Sequence, residues 1–147
     1  MRNKQYVLAT EQYIEDIYSI EESVFDKERY TLDMVESNVS NPAYINIICI
    51  IDDNVVGYIT VSTVLDEGEL LKIAVLDSYR RQNIGYELLD TMEKYLINKG
   101  ITKVFLEVRD DNIAAINFYE KNGFDKISIR EKYYDGVDAI IYAKGLE

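Results

Sequence analysis

The chain has no histidine and no tryptophan, one cysteine and one proline among its 147 residues. Without histidine, Ser-His-Asp and Cys-His catalysis are excluded, along with most zinc sites. No metal site is expected, and any general base must be a carboxylate, a tyrosine, a lysine or water. The lone Cys49 lies in an apolar run and cannot close an internal disulfide, which fits a reducing compartment. Positive charge is also scarce, with 16 Lys and Arg against 27 Asp and Glu and a formal charge of −11. Such a surface repels nucleic-acid phosphates and attracts cationic partners. No stretch reaches the length of a membrane span, and the start Met1-Arg2-Asn3-Lys4-Gln5-Tyr6 lacks the apolar core of a signal peptide. A cytoplasmic protein that contacts neither membrane nor nucleic acid is the expectation, as a monomer or weak dimer.

Apolar residues make up 48% of the sequence, and the length suits one domain over residues 1–147 with a proper core. Internal repeats, linkers and low-complexity segments are absent. A short first strand is expected over residues 5–9. A helix should open at Thr10 as N-cap, with Ile14, Ile17, Tyr18, Val24 and Phe25 at helical spacing. A second helix should start at its cap Thr31, with Leu32 and Val35 inward, and end at Asn41-Pro42. The β-branched run 43–51, a turn at Asp52-Asp53-Asn54 and the strand 55–64 read as a hairpin. A further turn at Asp66-Glu67-Gly68 leads into a third antiparallel strand.

That third strand ends in the stretch on which the functional reading turns, residues 73–89. An apolar strand passes through a polar loop into an amphipathic helix with Ile84, Leu88, Leu89, Met92, Tyr95 and Leu96 on one face. The junction Arg80-Arg81-Gln82-Asn83-Ile84-Gly85 carries two cations, a residue tolerant of left-handed geometry and a glycine. Strand, loop and helix start in that order make an anion site, because free N–H groups and the positive end of the helix dipole face the loop. The same residues also fit an ordinary turn with a solvated arginine pair. They make neither a nucleoside-triphosphate loop, which needs Gly-Lys-Ser/Thr, nor the dinucleotide fingerprint, two of whose three glycines are missing.

After a stop at Lys99-Gly100, a strand over 102–109 should lie parallel to the earlier one across the long helix. A helix capped by Asp111-Asn112 should end at Asn122-Gly123. The last strands are expected over 124–130 and 137–143, joined by residues 131–136. The fold class is therefore α/β, a mixed sheet with helices on both faces, in the order β-α-α-β-β-β-α-β-α-β-β. In Lys103-Val104-Phe105-Leu106-Glu107-Val108-Arg109, Phe105, Glu107 and Arg109 share one face. Glu107 there is either solvated and paired with Arg109, or lines a cleft and takes a proton. Tyr119 fits a core tyrosine, and Asn112 a helix cap.

Taken together these segments resemble a known family. Residues 80–85 resemble the pyrophosphate motif Gln/Arg-x-x-Gly-x-Gly/Ala of the GNAT superfamily of acetyl-coenzyme A-dependent N-acetyltransferases, with Arg80 first and Gly85 last. Asn83 stands in place of the usual Gly, and Asn is well suited to replace it where φ is positive. The run 105–124 is similar to the second GNAT signature. The fuller pattern Leu-Glu-Val-Arg, Asn-x-Ala-Ala-Ile, Tyr-Glu, Gly-Phe, Ile-Arg, Tyr-Tyr and Asp-Ala-Ile-Ile, over about residues 65–142, resembles the bacterial ribosomal-protein alanine N-acetyltransferase (Rim-type) family.

The resemblance implies a GNAT fold, acetyl-coenzyme A as cosubstrate, Glu107 as general base and Tyr119 as general acid. It implies that Asn112 and the backbone of Ile73, Ala74 and Val75 contact the cofactor. Arg80, Arg81, Gln82, Asn83, Ile84, Gly85 and Tyr86 would hold its pyrophosphate, and Tyr133 and Tyr134 would flank an incoming peptide terminus. Lys72 is a further cation expected at the cofactor. The acceptor so implied is the N-terminal alanine of small-subunit ribosomal protein eighteen. A small-molecule or other peptide amine, or a coenzyme A-binding or partner-binding module without turnover, stay as alternatives.

Overall fold

The computed structural model describes residues 3–134 and 136–147. In chain order the elements are β1 (Lys4–Leu8), α1 (Ile14–Val24), α2 (Leu32–Ser40), β2 (Tyr44–Ile51), β3 (Asn54–Val64), β4 (Glu67–Val75), α3 (Ile84–Asn98), β5 (Lys103–Arg109), α4 (Ile113–Lys121), β6 (Asp125–Tyr134) and β7 (Val137–Gly145). This is the expected order. The strands form one seven-stranded sheet, β1-β2-β3-β4-β5-β7-β6. Every neighbouring pair is antiparallel except β4 with β5, which are parallel and joined by the crossover through α3.

Alternation along the strands divides the core in two. Ile45, Ile47, Cys49, Val56, Ile59, Val61, Leu70, Val104, Leu106 and Val108 face α3 and α4, where they meet Leu88, Leu89, Met92 and Leu96. Ile48, Tyr58 and Ala74 face the other way, against Ile17, Ile20 and Val35 of α1 and α2. The β2–β3 hairpin closes through Asp52 and Asp53, both at positive φ (50° and 67°), as a two-residue turn matched to strand twist requires.

Several local expectations are corrected. Thr10 makes no side-chain cap; it precedes a single 3-10 turn at Glu11–Tyr13, and α1 begins only at Ile14. Thr31 does cap α2, its hydroxyl accepting from the Met34 N–H at 3.2 Å. Leu32, however, is 40% exposed, because only Val35 of that first turn points at the sheet. β4 starts at Glu67, so the turn before it falls at Leu65-Asp66. β6 runs on to Tyr134, well past residue 130, because a register shift between Arg130 and Tyr134 with Lys132 at φ 50° lets the strand continue.

One irregularity creates the feature that matters most. Opposite β3, Thr60 pairs with Lys72 and Val61 with Leu70, so Leu71 is an extra residue on β4. The bulge twists the second half of β4. On its other side β4 pairs with β5 only through Glu67↔Lys103, Gly68↔Val104 and Glu69↔Phe105. Beyond that point the carboxyl ends of the two parallel strands part, and the sheet is split down the middle.

Candidate active site

The split is lined by main chain on one side. Leu76 donates to the Val56 carbonyl at 2.9 Å, which sets the phase of the β3–β4 ladder. Hydrogen-bonded pairs alternate in an antiparallel ladder, so Ala74 and Lys72 turn their backbone groups to β3. Ile73 and Val75 turn theirs to the split. A strand end whose main-chain groups have no neighbouring strand to pair with, at the carboxyl edge of parallel strands, is where α/β sheets bind ligands.

Glu107 stands on β5 just past its last pairing with β4, and Tyr119 packs on the opposite face of the sheet. Glu107 lies on the α1/α2 face of β5, with its side chain 21% exposed and an Oε1 2.9 Å from Nη2 of Arg130 on β6. The Arg130 guanidinium in turn stacks 4.6 Å from the centre of the Tyr133 ring. Pairing of Glu107 with Arg109 is thereby overturned, since Arg109 chelates Asp111 at 3.0 and 3.1 Å. Tyr119 comes from α4 on the other face, edge-on to Phe118 and Phe124. It is 8% exposed, and burial pushes its phenol up to about 12. Its hydroxyl has no hydrogen-bond partner among the described residues, yet no fully buried side-chain oxygen among them lacks one. The hydroxyl is therefore the part of Tyr119 that reaches open space.

The loop after β4 has the geometry of an anion cradle. Arg81 and Asn83 both stand at φ 64°, and left-handed residues leading into a helical one turn successive N–H groups towards a common concavity. The left-handed geometry expected of Asn83 is present. Asn83 makes no side-chain cap, so the first N–H groups of α3 stay open, unlike those of α4, where Asn112 Oδ1 accepts from Ala115 at 3.2 Å. Arg80 folds back: Nε donates to the Val75 carbonyl at 3.3 Å and Nη2 meets Asp77 at 3.1 Å. Tyr86 is 53% exposed beside the cradle. A Cβ on Gly85 would only touch the Phe118 ring at 3.4 Å, so that position is open rather than tightly packed.

Two expectations about cations change. Lys72 is not at the cradle but on the opposite face, its Nζ 2.8 Å from Glu21 of α1; burial holds its ammonium below the usual lysine range, against the pull of that carboxylate. Lys4 was missed. From β1 it reaches across to the Gln82 carbonyl at 2.9 Å and to Glu87 at 2.8 Å. Partial burial opposes the shift, but Lys4 and the Tyr6 hydroxyl still hold the Glu87 carboxyl below the ordinary carboxylate range. Nothing near Lys4 in the sequence signals this, because 78 residues separate it from Gln82. Arg130 was also missed; its place in the Ile-Arg dipeptide of the family pattern was the available signal. The backbone of Tyr134 pairs with Val137 at the end of β6.

Comparison with known proteins agrees with this architecture. The model of the acetyltransferase (GNAT) family matches residues 11–124. The [ribosomal protein bS18]-alanine N-acetyltransferase of Salmonella typhimurium is 38% identical over 104 residues, covering 68% of this chain and 70% of the relative. The Escherichia coli K12 enzyme of the same name is 46% identical over 84 residues, 54% of this chain and 57% of the relative. The crystal structure of the ribosomal-protein-S18-alanine N-acetyltransferase from Escherichia coli superposes with a TM-score of 0.90 at 31% identity, over 99% of this chain and 95% of that one.

Proposed function

Because the chain belongs to the acetyltransferase (GNAT) family, N-acetyltransferases that draw on acetyl-coenzyme A, we propose that it acetylates the α-amine of a protein N-terminus, the N-terminal alanine of ribosomal protein bS18 in particular. The observation that carries the mechanism is the split between β4 and β5, with a carboxylate on one face and a buried phenol on the other. The residues around it fit the cosubstrate. Ile73 and Val75 offer main-chain partners for an extended amide-bearing chain, and the uncapped start of α3 suits its phosphates.

Acetyl-coenzyme A supplies the thioester. Glu107, directly or through water, takes a proton from the acceptor ammonium, whose pKa of about 7.7–8.0 leaves most of it unreactive at neutral pH. The amine nitrogen then attacks the thioester carbonyl carbon. Main-chain N–H groups at Ile73 and Val75 hold the charge that develops on its oxygen. The carbon–sulfur bond breaks; Tyr119, still protonated at neutral pH, gives its proton to the departing sulfur, and the surplus proton on the new amide nitrogen leaves to water, from which Tyr119 is reprotonated. Residues 80–86 hold the phosphate end, Asn112 contacts the cosubstrate, and Tyr133 and Tyr134 flank the peptide. No metal takes part, and one domain in the cytoplasm does the whole reaction.

The test is thiol release with acetyl-coenzyme A across hexapeptides that differ only in the first residue, with free polyamines and lysine side-chain peptides alongside. Preference for an N-terminal alanine supports the proposal; preference for a small-molecule amine replaces it. Mass spectrometry of bS18 from cells lacking the enzyme is the second arm. A terminus still acetylated there removes bS18 as the acceptor.

A further inference from the structure

A fully buried carboxylate, Glu21, lies on α1 and is 0% exposed. One oxygen accepts from Lys72 Nζ at 2.8 Å and from the main-chain N–H of Tyr30 at 2.7 Å. The other accepts from the Tyr58 hydroxyl of β3. Lys72 Nζ also donates to the Glu28 carbonyl at 2.7 Å and sits 3.8 and 4.0 Å from the centres of the Phe25 and Tyr30 rings. The pair therefore grips the main chain of the α1–α2 loop at two places, Glu28 and Tyr30, and fixes it to β4. A charged pair is a poor way to buy stability in such a place, because apolar side chains of similar volume usually serve as well. What it supplies is a defined loop position.

That position bears on the reaction. Lys72 follows Glu69 by three residues, one of them in the bulge, and Glu107 follows Phe105 by two, where Glu69 and Phe105 are the last paired residues. At about 3.3 Å per residue the two stand at similar depth on the two sides of the split. Both project from the α1/α2 face, so the loop that Lys72 holds roofs the side from which Glu107 meets the amine. Resting on the acetyl-transfer reading above, we propose that the Glu21–Lys72 pair is a positioning element that sets the α1–α2 loop as a wall of the acceptor channel. Acceptor affinity then depends on it, and cosubstrate affinity does not.

The experiment compares Lys72→Met, the double variant Glu21→Gln with Lys72→Met, Lys72→Arg and Tyr58→Phe. KM for an alanine-initiated hexapeptide, KM for acetyl-coenzyme A and kcat are measured separately, with folding checked by circular dichroism. Lys72→Met and the double variant are expected to raise the peptide KM at least tenfold and to leave the acetyl-coenzyme A KM within twofold. Lys72→Arg, which can still reach both Glu21 and Glu28, should recover most of the loss. Tyr58→Phe removes a hydrogen bond on the inner side only and should stay within twofold of the parent. A folded double variant with the parent's peptide KM overturns the proposal. So does a uniform loss in both KM values that tracks the folded fraction. Wild-type turnover is measured first, so its absence would count against the acetyl-transfer reading alone. In that event amide exchange decides: exchange at Tyr30 accelerated by Lys72→Met, with β2 and β3 unchanged, supports the tether, and unchanged exchange refutes it.

Discussion

Replacing Glu107 by glutamine isolates the proton-transfer role, because the structure limits what else the change can do. The Glu107–Arg130 pair has side chains 21% and 48% exposed, and ion pairs with this much solvent contribute about 0–1 kcal/mol. The glutamine carbonyl can still accept from Arg130. The melting temperature should therefore fall by no more than about 4 °C. Loss of a general base costs about 10²–10⁴ in rate, far beyond what so small a loss of stability produces. The pH dependence separates the base from a mere contact. An acceptor amine of pKa about 8 is only about one tenth neutral at pH 7 and about nine tenths neutral at pH 9. The variant depends on that neutral fraction and should gain nearly tenfold over this range, whereas the parent should change little. Initial rates of thiol release, at saturating acetyl-coenzyme A and fixed peptide, measure both. A variant as fast as the parent at pH 7, or a deficit that stays constant to pH 9, would refute the assignment of Glu107.

Tyr119→Phe removes a hydroxyl with no hydrogen-bond partner among the described residues, so stability should move by less than about 0.5 kcal/mol while kcat drops at least tenfold; a melting curve and a rate assay on one preparation read both. Tyr30, Tyr119 and Tyr142 are each raised from 10.0 to about 12, first by burial. The unfolded chain thus releases these protons first, and chemical denaturation should show stability level below pH 10 and falling between about 10 and 12. Asn83 stands at φ 64°. Asn83→Gly should leave the acetyl-coenzyme A KM within twofold. Asn83→Val meets a left-handed penalty of about 1–2 kcal/mol, a five- to thirtyfold rise in that KM where the loop moves to relieve it.

The element order was legible because each element carries local signals: β-branched runs, the Thr31 and Asn112 caps, and the stops at Gly100 and Gly123, whose φ values are 83° and 91°. Glu107 was conspicuous as a carboxylate in the middle of an apolar strand. What escaped was set by the sheet rather than by the local chain. Arg130 and Lys4 reach their partners across strands far apart in sequence. Lys72 was expected at the cofactor but meets Glu21 of α1 instead, because the extra residue at Leu71 reverses which side the following residues occupy, and no composition rule marks a bulge. The α1 start failed for a simpler reason: Thr10 has the right side chain, but a 3-10 turn intervenes before the α-helix.

The uneven charge of the chain yields one more consequence of the proposed acceptor path. Residues 11–40, which make α1, α2 and the loop between them, contain nine acidic and two basic residues, and the chain as a whole carries −11. All nine acids except Glu21 are exposed. The layer covering the Glu107 face is thus strongly negative, whereas Lys4 and the α3 start lie at the cradle, so a cationic peptide and an anionic cosubstrate are drawn to different places. An exposed acid about 10 Å from a peptide cation contributes about 0.4 kcal/mol in water. Three such acids give about 1.2 kcal/mol, close to tenfold in affinity for each added lysine. At 1 M salt the screening length falls to about 3 Å, and nearly all of this should vanish. Two hexapeptides sharing an N-terminal alanine, one with two lysines at its far end and one neutral, should therefore differ greatly in KM at 20 mM salt and converge at 1 M. Equal KM values at low salt, or a difference that survives high salt, would mean that the acceptor does not travel over the α1/α2 layer.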